Sequence, residues 1–320
     1  MHGSLSARLE RALRLGEPAL SPLADAAPDD ERDALQAMMA IHDLHMGSID
    51  RLGDTVRWQH HPAVAALKGR LEAGFLADLP VDTVREDEIA DPAATVAAMR
   101  RTGRDGVLPE VYDWIATEAS WDEIVRFLAV EGGPDAGFDD LVAICQVGLA
   151  GEPKLELARN YWDEMGRGRL EGIHTEMHHR LCRAVELPAI PRDEQPLSGL
   201  RRNALGNVLA TNRWLQPELV GALGLLELQA GPRCRKVVAG LERHGASHDA
   251  LEFYQEHAEV DPHHGKGWVD NVVAPLAEDR EWARRMLQGA RWRSTVNAAF
   301  FADMAERFVR KGELVASSAA

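Results

Sequence analysis

In the stretch Tyr254-Gln-Glu-His257-Ala-Glu-Val-Asp261-Pro-His-His264, a histidine, an aspartate and a histidine stand at i, i+4 and i+7. On a helix of 3.6 residues per turn these three side chains fall within an arc of about 60°, stacked over two turns. One metal ion could touch all three, or two ions could divide them. Imidazole nitrogen with carboxylate oxygen suits Fe, Mn or Zn, and a set without thiolate leaves iron as the usual choice for oxygen chemistry. His263 points away from that face and reads as a bystander. Pro262 interrupts the run, because an interior proline removes a backbone hydrogen bond at a cost of roughly 3 kcal/mol. The helix is therefore expected to kink or restart there, with Asp261 as an alternative N-cap and Pro262 at the first helical position.

A second cluster runs Asn160-Tyr-Trp-Asp-Glu164-Met-Gly-Arg-Gly-Arg-Leu-Glu171-Gly-Ile-His174. Its carboxylates and histidine are expected broadly on one side of a helix, with Glu164 a little under three turns before His174 and Glu171 three residues before it. Either glutamate could share a metal with His174. Glu-x-x-His pairs on facing helices are the ligand pattern of carboxylate-bridged diiron bundles, and Asp261-x-x-His264 is the aspartate variant. The pattern also recurs at Glu176 and His179, so chance competes with function for any one pair. Two further acids stand in apolar company, Glu131 after Phe127-Leu-Ala-Val and Glu227 after Leu223-Gly-Leu-Leu. A buried carboxylate needs a partner, and a metal is one. A helix end at Gly132 or an ordinary ion pair would also account for them.

The elements that must position these residues are helices. Alanine, leucine, glutamate and arginine dominate, and apolar residues recur at three- and four-residue spacing. Helices are predicted over Ile115 to Val130, Leu155 to Met165, Leu219 to Leu228, Ala250 to Val260 and Arg280 to Val309. Breaks are predicted at Gly132-Gly133-Pro134, Gly148 to Pro153, Leu187 to Pro196 and Gly231-Pro232. The polar stretch Pro80 to Arg104 separates an N-terminal part carrying His42, His45, His60 and His61, so a soft boundary is placed near residue 110. This gives a helical extension over 1–110, a core over 111–312 and a disordered tail over 313–320. Within the extension, Met38 to Leu71 reads as two helices joined by Trp58-Gln-His-His, a cap or packing corner.

Composition narrows the function. The 320 residues carry a formal net charge of -15, which works against nucleic acid, whose phosphates are held by clustered Lys and Arg. Short basic runs such as Arg201-Arg202 and Arg310-Lys311 read as solvated faces. The three cysteines, Cys145, Cys182 and Cys234, form no CxxC pair, which argues against a thiolate zinc site and for a reducing compartment, the cytoplasm. Neither a signal peptide nor an apolar span of about 20 residues is present, so no membrane location is expected. Nucleophile elbow, P-loop and dinucleotide fingerprint are all missing.

The HxxxDxxH at His257, Asp261 and His264, the NYWDEMGRG followed by His174, and FLAVEGGPDAGFDDL around Glu131 together resemble the haem-oxygenase-like diiron oxidases and oxygenases, the iron-containing redox enzymes. With Glu227, these motifs keep the family's order across about two-thirds of the chain. The resemblance implies an all-α, haem-oxygenase-like seven-helix bundle. It also implies two Fe(II) ions with dioxygen as co-substrate and no haem. Carried over by position, Glu164, His174 and His257 resemble one iron's ligands and Glu227, Asp261 and His264 the other's, with Glu164 as the bridging candidate and Glu131 as a further acid near one iron. Tyr161, Trp162, Phe253 and Tyr254 are pocket candidates, with ordinary core packing the alternative. Members of the family act on amines and amino acids by N-oxygenation or oxidative bond cleavage, or decarboxylate fatty acids, often in natural-product pathways. A small amine or amino-acid substrate is the expectation, because the sequence offers no long apolar groove segment for an acyl chain. Oxidative decarboxylation of a carboxylic acid, or a non-catalytic helical metal- or partner-binding role, are the alternatives. A homodimer and an external electron donor are compatible with this reading.

Overall fold

The computed structural model describes residues 3–81, 84–132 and 137–310. Its α-helices of eight residues or more are α1 (Leu5–Leu15), α2 (Glu31–Met46), α3 (Pro62–Ala77), α4 (Pro92–Arg104), α5 (Glu110–Thr117), α6 (Trp121–Glu131) and α7 (Phe138–Cys145). They continue with α8 (Gly151–Glu164), α9 (His174–Ala184), α10 (Leu197–Thr211), α11 (Gln216–Arg243), α12 (His248–Gly267) and α13 (Arg280–Met304). Among the described residues there is no strand, only an isolated antiparallel bridge between Met165 and Ile173. The all-α expectation therefore holds. The disordered tail placed at 313–320, Lys311, and the Gly133-Pro134 part of one predicted break lie outside the described residues.

The chain divides into two compact units, Met1–Val81 with Pro191–Arg213, and Asp82–Ile190 with Trp214–Ala320. This division falls away from the boundary placed near residue 110, because α10 returns to pack on α2 and the polar stretch after Pro80 is itself largely helical. There Asp91 caps α4 by accepting the Ala94 N–H at 2.8 Å, Pro92 takes the first helical position, and Thr95, Ala98 and Met99 are buried.

In the first unit the apolar faces of α1, α2, α3 and α10 close on Leu9, Met38, Ile41, Leu67 and Leu205. Asp33 caps α1 from outside, its carboxylate accepting the N–H groups of Leu5 and Ser6, each at 2.8 Å. Burial pushes the Asp33 carboxyl up, but the hydrogen bonds from Ser6, Asp29 and Leu5 outweigh it and hold it below its ordinary value. Two of the N-terminal histidines, His42 and His61, have structural partners. His42 Nε2 lies 2.7 Å from Glu72, whose carboxylate also meets Lys68 at 2.8 Å and the Asn212 amide at 3.0 Å. His61 is the N-cap of α3, as a packing corner requires.

In the second unit α11 is the central helix, buried on nearly every face and packed against α4, α5, α12 and α13. Two expectations are corrected at this point. The predicted break at Gly231-Pro232 does not occur, since α11 runs through it, and α12 likewise runs through Pro262 without restarting, so Asp261 is interior and not an N-cap. The roughly 3 kcal/mol that each proline costs is outweighed by burial on both sides, and the two interruptions pack together, with Gly231 against the Pro262 ring. A third correction concerns the helix predicted from Ile115 to Val130. It breaks at Glu118–Ser120, where Ser120 and Glu123 form a capping box that starts α6. The predicted stop at Gly132 holds, with that residue in the left-handed region at φ 80°. The last helix is α-helical to Met304 and then widens into a π segment, Ala305–Arg310.

Candidate metal centre

The candidate donors come from α8, α9, α11 and α12, all in the second unit. Glu164 is the last residue of α8 and His174 the first of α9. They stand on two helices and not on the single helix expected from their spacing. Between them the chain folds back through Gly166, Gly168 and Gly172, closed by the Met165–Ile173 bridge. Gly166 sits at φ 60°, and a Cβ there would lie 2.3 Å from the carbonyl carbon of Gly172, so no larger residue permits this turn. The fold-back sets Glu164 Oε2 2.8 Å from His174 Nδ1. Glu171 is exposed on the outside of the turn, so of the two glutamates it is Glu164 that meets His174.

His257, Asp261 and His264 share the inner face of α12, with only 2%, 3% and 8% of their surfaces accessible, while Pro262 and His263 face outwards. The i, i+4, i+7 spacing therefore sets all three on one buried face of α12. Glu227 reaches the same volume from α11, where Gly265 lets the two helices approach so closely that a Cβ would lie 3.0 Å from the Glu227 carbonyl oxygen. Two donor groups result, Glu164 with His174 and His257, and Glu164 with Glu227 and His264; within each, the ligand atoms lie within 4.8 Å of one another. Glu164 is common to both. Asp261 flanks the second group, its Oδ1 4.0 Å from His264 Nδ1.

Hydrogen bonds orient these side chains. The Phe253 carbonyl can only accept, so His257 Nδ1, 2.6 Å away, carries the proton and Nε2 presents its lone pair. His264 is the reverse. Its Nε2 donates to Asp163 Oδ2 at 3.0 Å, leaving Nδ1 without a hydrogen-bond partner and 3.7 Å from Glu227 Oε2. Glu227 is held in turn by the Asn160 amide at 2.6 Å. Burial raises the Asp163 carboxyl, but hydrogen bonds from His264 and Arg167 outweigh it and hold it below its ordinary value.

Three buried carboxylates and three buried imidazoles, with no lysine or arginine among the donors, form a set whose burial a cation would stabilise. Nitrogen and oxygen donors without thiolate fit iron, and the inward-facing nitrogens of His257 and His264 are the lone pairs an ion needs.

The remaining candidates are distributed unevenly. Glu131 is buried at the end of α6 but belongs to neither donor group; it accepts the Tyr112 hydroxyl at 2.7 Å. Tyr254 is buried beside Phe253, its hydroxyl unpaired, and burial together with the Glu131 carboxylate pushes its phenol well above the ordinary value. Tyr161 is half-buried. Trp162 does not line the site: it is 56% exposed, on the outer side of α8, with its ring over Gly168. It lies two residues before Glu164, which turns it about 160° away around the helix. Asp163, Asn160 and the Phe253 carbonyl were not assigned roles from sequence. Asn160 had a readable signal, since it stands one turn before Glu164 on the same face, but nothing in the sequence tells Asp163 from an ordinary helix-end acid.

The donors all lie within the part of the chain recognised by comparison. A family model described as iron-containing redox enzyme matches residues 126–298, more than half of the chain. The chain matches none of the curated proteins with which it was compared. An all-helical unit, a buried cluster of glutamate and histidine suited to iron, and a match spanning every candidate donor lead to one assignment: this chain belongs to the haem-oxygenase-like family of iron-containing redox enzymes and is an oxidoreductase.

Proposed function

We propose that the chain is a non-haem diiron, dioxygen-dependent oxidase or oxygenase acting on a small amine or amino-acid substrate by N-oxygenation or oxidative bond cleavage. The observation that carries this reading is the position of Glu164 in both donor groups, which suits a carboxylate bridging two ions. In this reading Glu164, His174 and His257 hold one ferrous ion and Glu164, Glu227, Asp261 and His264 the other. Such a pair supplies the electrons with which dioxygen is activated. The protein's own contribution is placement: the Phe253 carbonyl and the Asp163 carboxylate orient two imidazoles, Asn160 orients Glu227, and the packed apolar wall of Phe253 and Tyr254 keeps water out.

The preference for a small amine or amino acid rests on the sequence, which offers no long apolar segment for an acyl chain. The test is anaerobic titration of metal-free protein with ferrous iron, followed by exposure to air. Two ions per chain and a transient visible absorption are expected. Protein that takes up no iron and stays colourless overturns the assignment.

A further inference from the structure

We infer that Asp163, steadied by Arg167, is a positioning residue that fixes the tautomer of His264, so that this imidazole ligates through Nδ1 while His257 ligates through Nε2. The inference rests on the reading of the cluster as a two-ion centre and adds to it a residue that touches neither ion.

The geometry leaves one arrangement. A carboxylate only accepts, so the 3.0 Å contact from His264 Nε2 to Asp163 Oδ2 places the imidazole proton on Nε2 and turns the bare Nδ1 towards Glu227 and Asp261. The other carboxylate oxygen of Asp163 is taken by Arg167 Nε at 2.6 Å. Arg167 itself sits in the left-handed region at φ 54°, a conformation that a side chain with a Cβ disfavours and that its contacts must hold. Its guanidinium also reaches Glu256, the neighbour of His257 on α12, at 3.6 Å. One charged chain thus ties the end of α8, the fold-back turn and two points on α12 about two turns apart. Asp163 is not a donor itself. It stands about 100° round the helix from Glu164, and its side chain is 25% exposed where that of Glu164 is 3%.

The two imidazoles therefore differ in what stands behind them: a neutral carbonyl behind His257 and a carboxylate behind His264. A carboxylate makes the imidazole it backs a more basic ligand, and losing such a partner typically weakens metal binding 10- to 100-fold. The ion on the Glu227, Asp261 and His264 side is thus the one that depends on Asp163.

The test is anaerobic titration of metal-free protein with Co(II), followed by visible absorption, for the wild type, Asp163→Leu and Asp163→Glu. Wild-type protein is expected to bind two ions. Asp163→Leu is expected to lose about 10- to 100-fold in affinity for one ion only, with Asp163→Glu recovering part of that loss. Wild-type affinity at both sites in Asp163→Leu overturns the inference. So does an equal weakening of both ions, which would make Asp163 a packing residue. If wild-type protein binds no Co(II) or iron at all, the two-ion reading itself fails, and the inference with it.

Discussion

Glu164 stands in both candidate donor groups, so in the proposed two-ion centre removing its carboxylate takes a ligand from each ion at once, while substituting any other donor takes one ligand from one ion. Glu164→Ala is accordingly expected to abolish uptake of both ferrous ions, and His257→Ala to weaken one by more than about 10-fold while sparing the other. Glu171→Ala, seven residues on and exposed, is expected to bind iron as the wild type does. Anaerobic iron titration of the three variants checks this ordering, and equal behaviour of Glu164→Ala and Glu171→Ala would count against a bridging role. The pair also illustrates what a residue pattern conveys. Both glutamates precede His174 at spacings a helix could use, and the sequence left the choice open. The glycine-rich turn removes one of them because the segment between Glu164 and His174 is not helical at all.

At the scale of elements, the centre depends on two places where backbones come unusually close. The turn at Gly166 brings the end of α8 onto the start of α9, and Gly265 lets α12 settle on α11 beside Glu227. Gly166→Ala adds a Cβ at 2.3 Å from a backbone atom and imposes the left-handed penalty of roughly 1–2 kcal/mol on top. The variant is expected to melt lower than the wild type and to lose affinity for the ion held by Glu164, His174 and His257; unchanged melting and metal uptake would show that the turn does not set the donor geometry. The same helices show where periodicity is a sound guide. The i, i+4, i+7 face of α12 lies buried as expected, because that argument needs only a continuous helix. The breaks expected at Gly231-Pro232 and Pro262 failed because a local proline penalty was set against tertiary burial, which outweighed it.

For the molecule as a whole, all six donors lie in the unit formed by Asp82–Ile190 and Trp214–Ala320, and they join segments far apart in the chain. An ion that binds only the folded arrangement stabilises it by mass action, by about 2.7 kcal/mol for each site at a hundredfold excess over its dissociation constant. Anaerobic ferrous iron is therefore expected to raise the melting temperature by several degrees, and a chelator to reverse the gain. A melting curve indifferent to both would mean that the cluster holds its carboxylates without a cation. The three-residue face of α12 meets Asp163, Glu164 and Glu227 only through this long-range assembly, and no single segment carries the candidate site.

The sequence by itself determined the all-helical class, the family, and the shared face of His257, Asp261 and His264 on α12, because helical periodicity and residue chemistry are local properties that survive without knowledge of neighbours. It also pointed to Glu227 and Glu131 as acids in apolar company, although only Glu227 belongs to a donor group. Only the tertiary structure decided that Glu164 and not Glu171 faces His174, that Trp162 points outwards, that α10 returns to the N-terminal unit, and that Asp163 stands behind His264. Each of those depends on a turn or a contact between residues distant in sequence, where the packing of one backbone against another, and not the preference of any residue, sets the outcome.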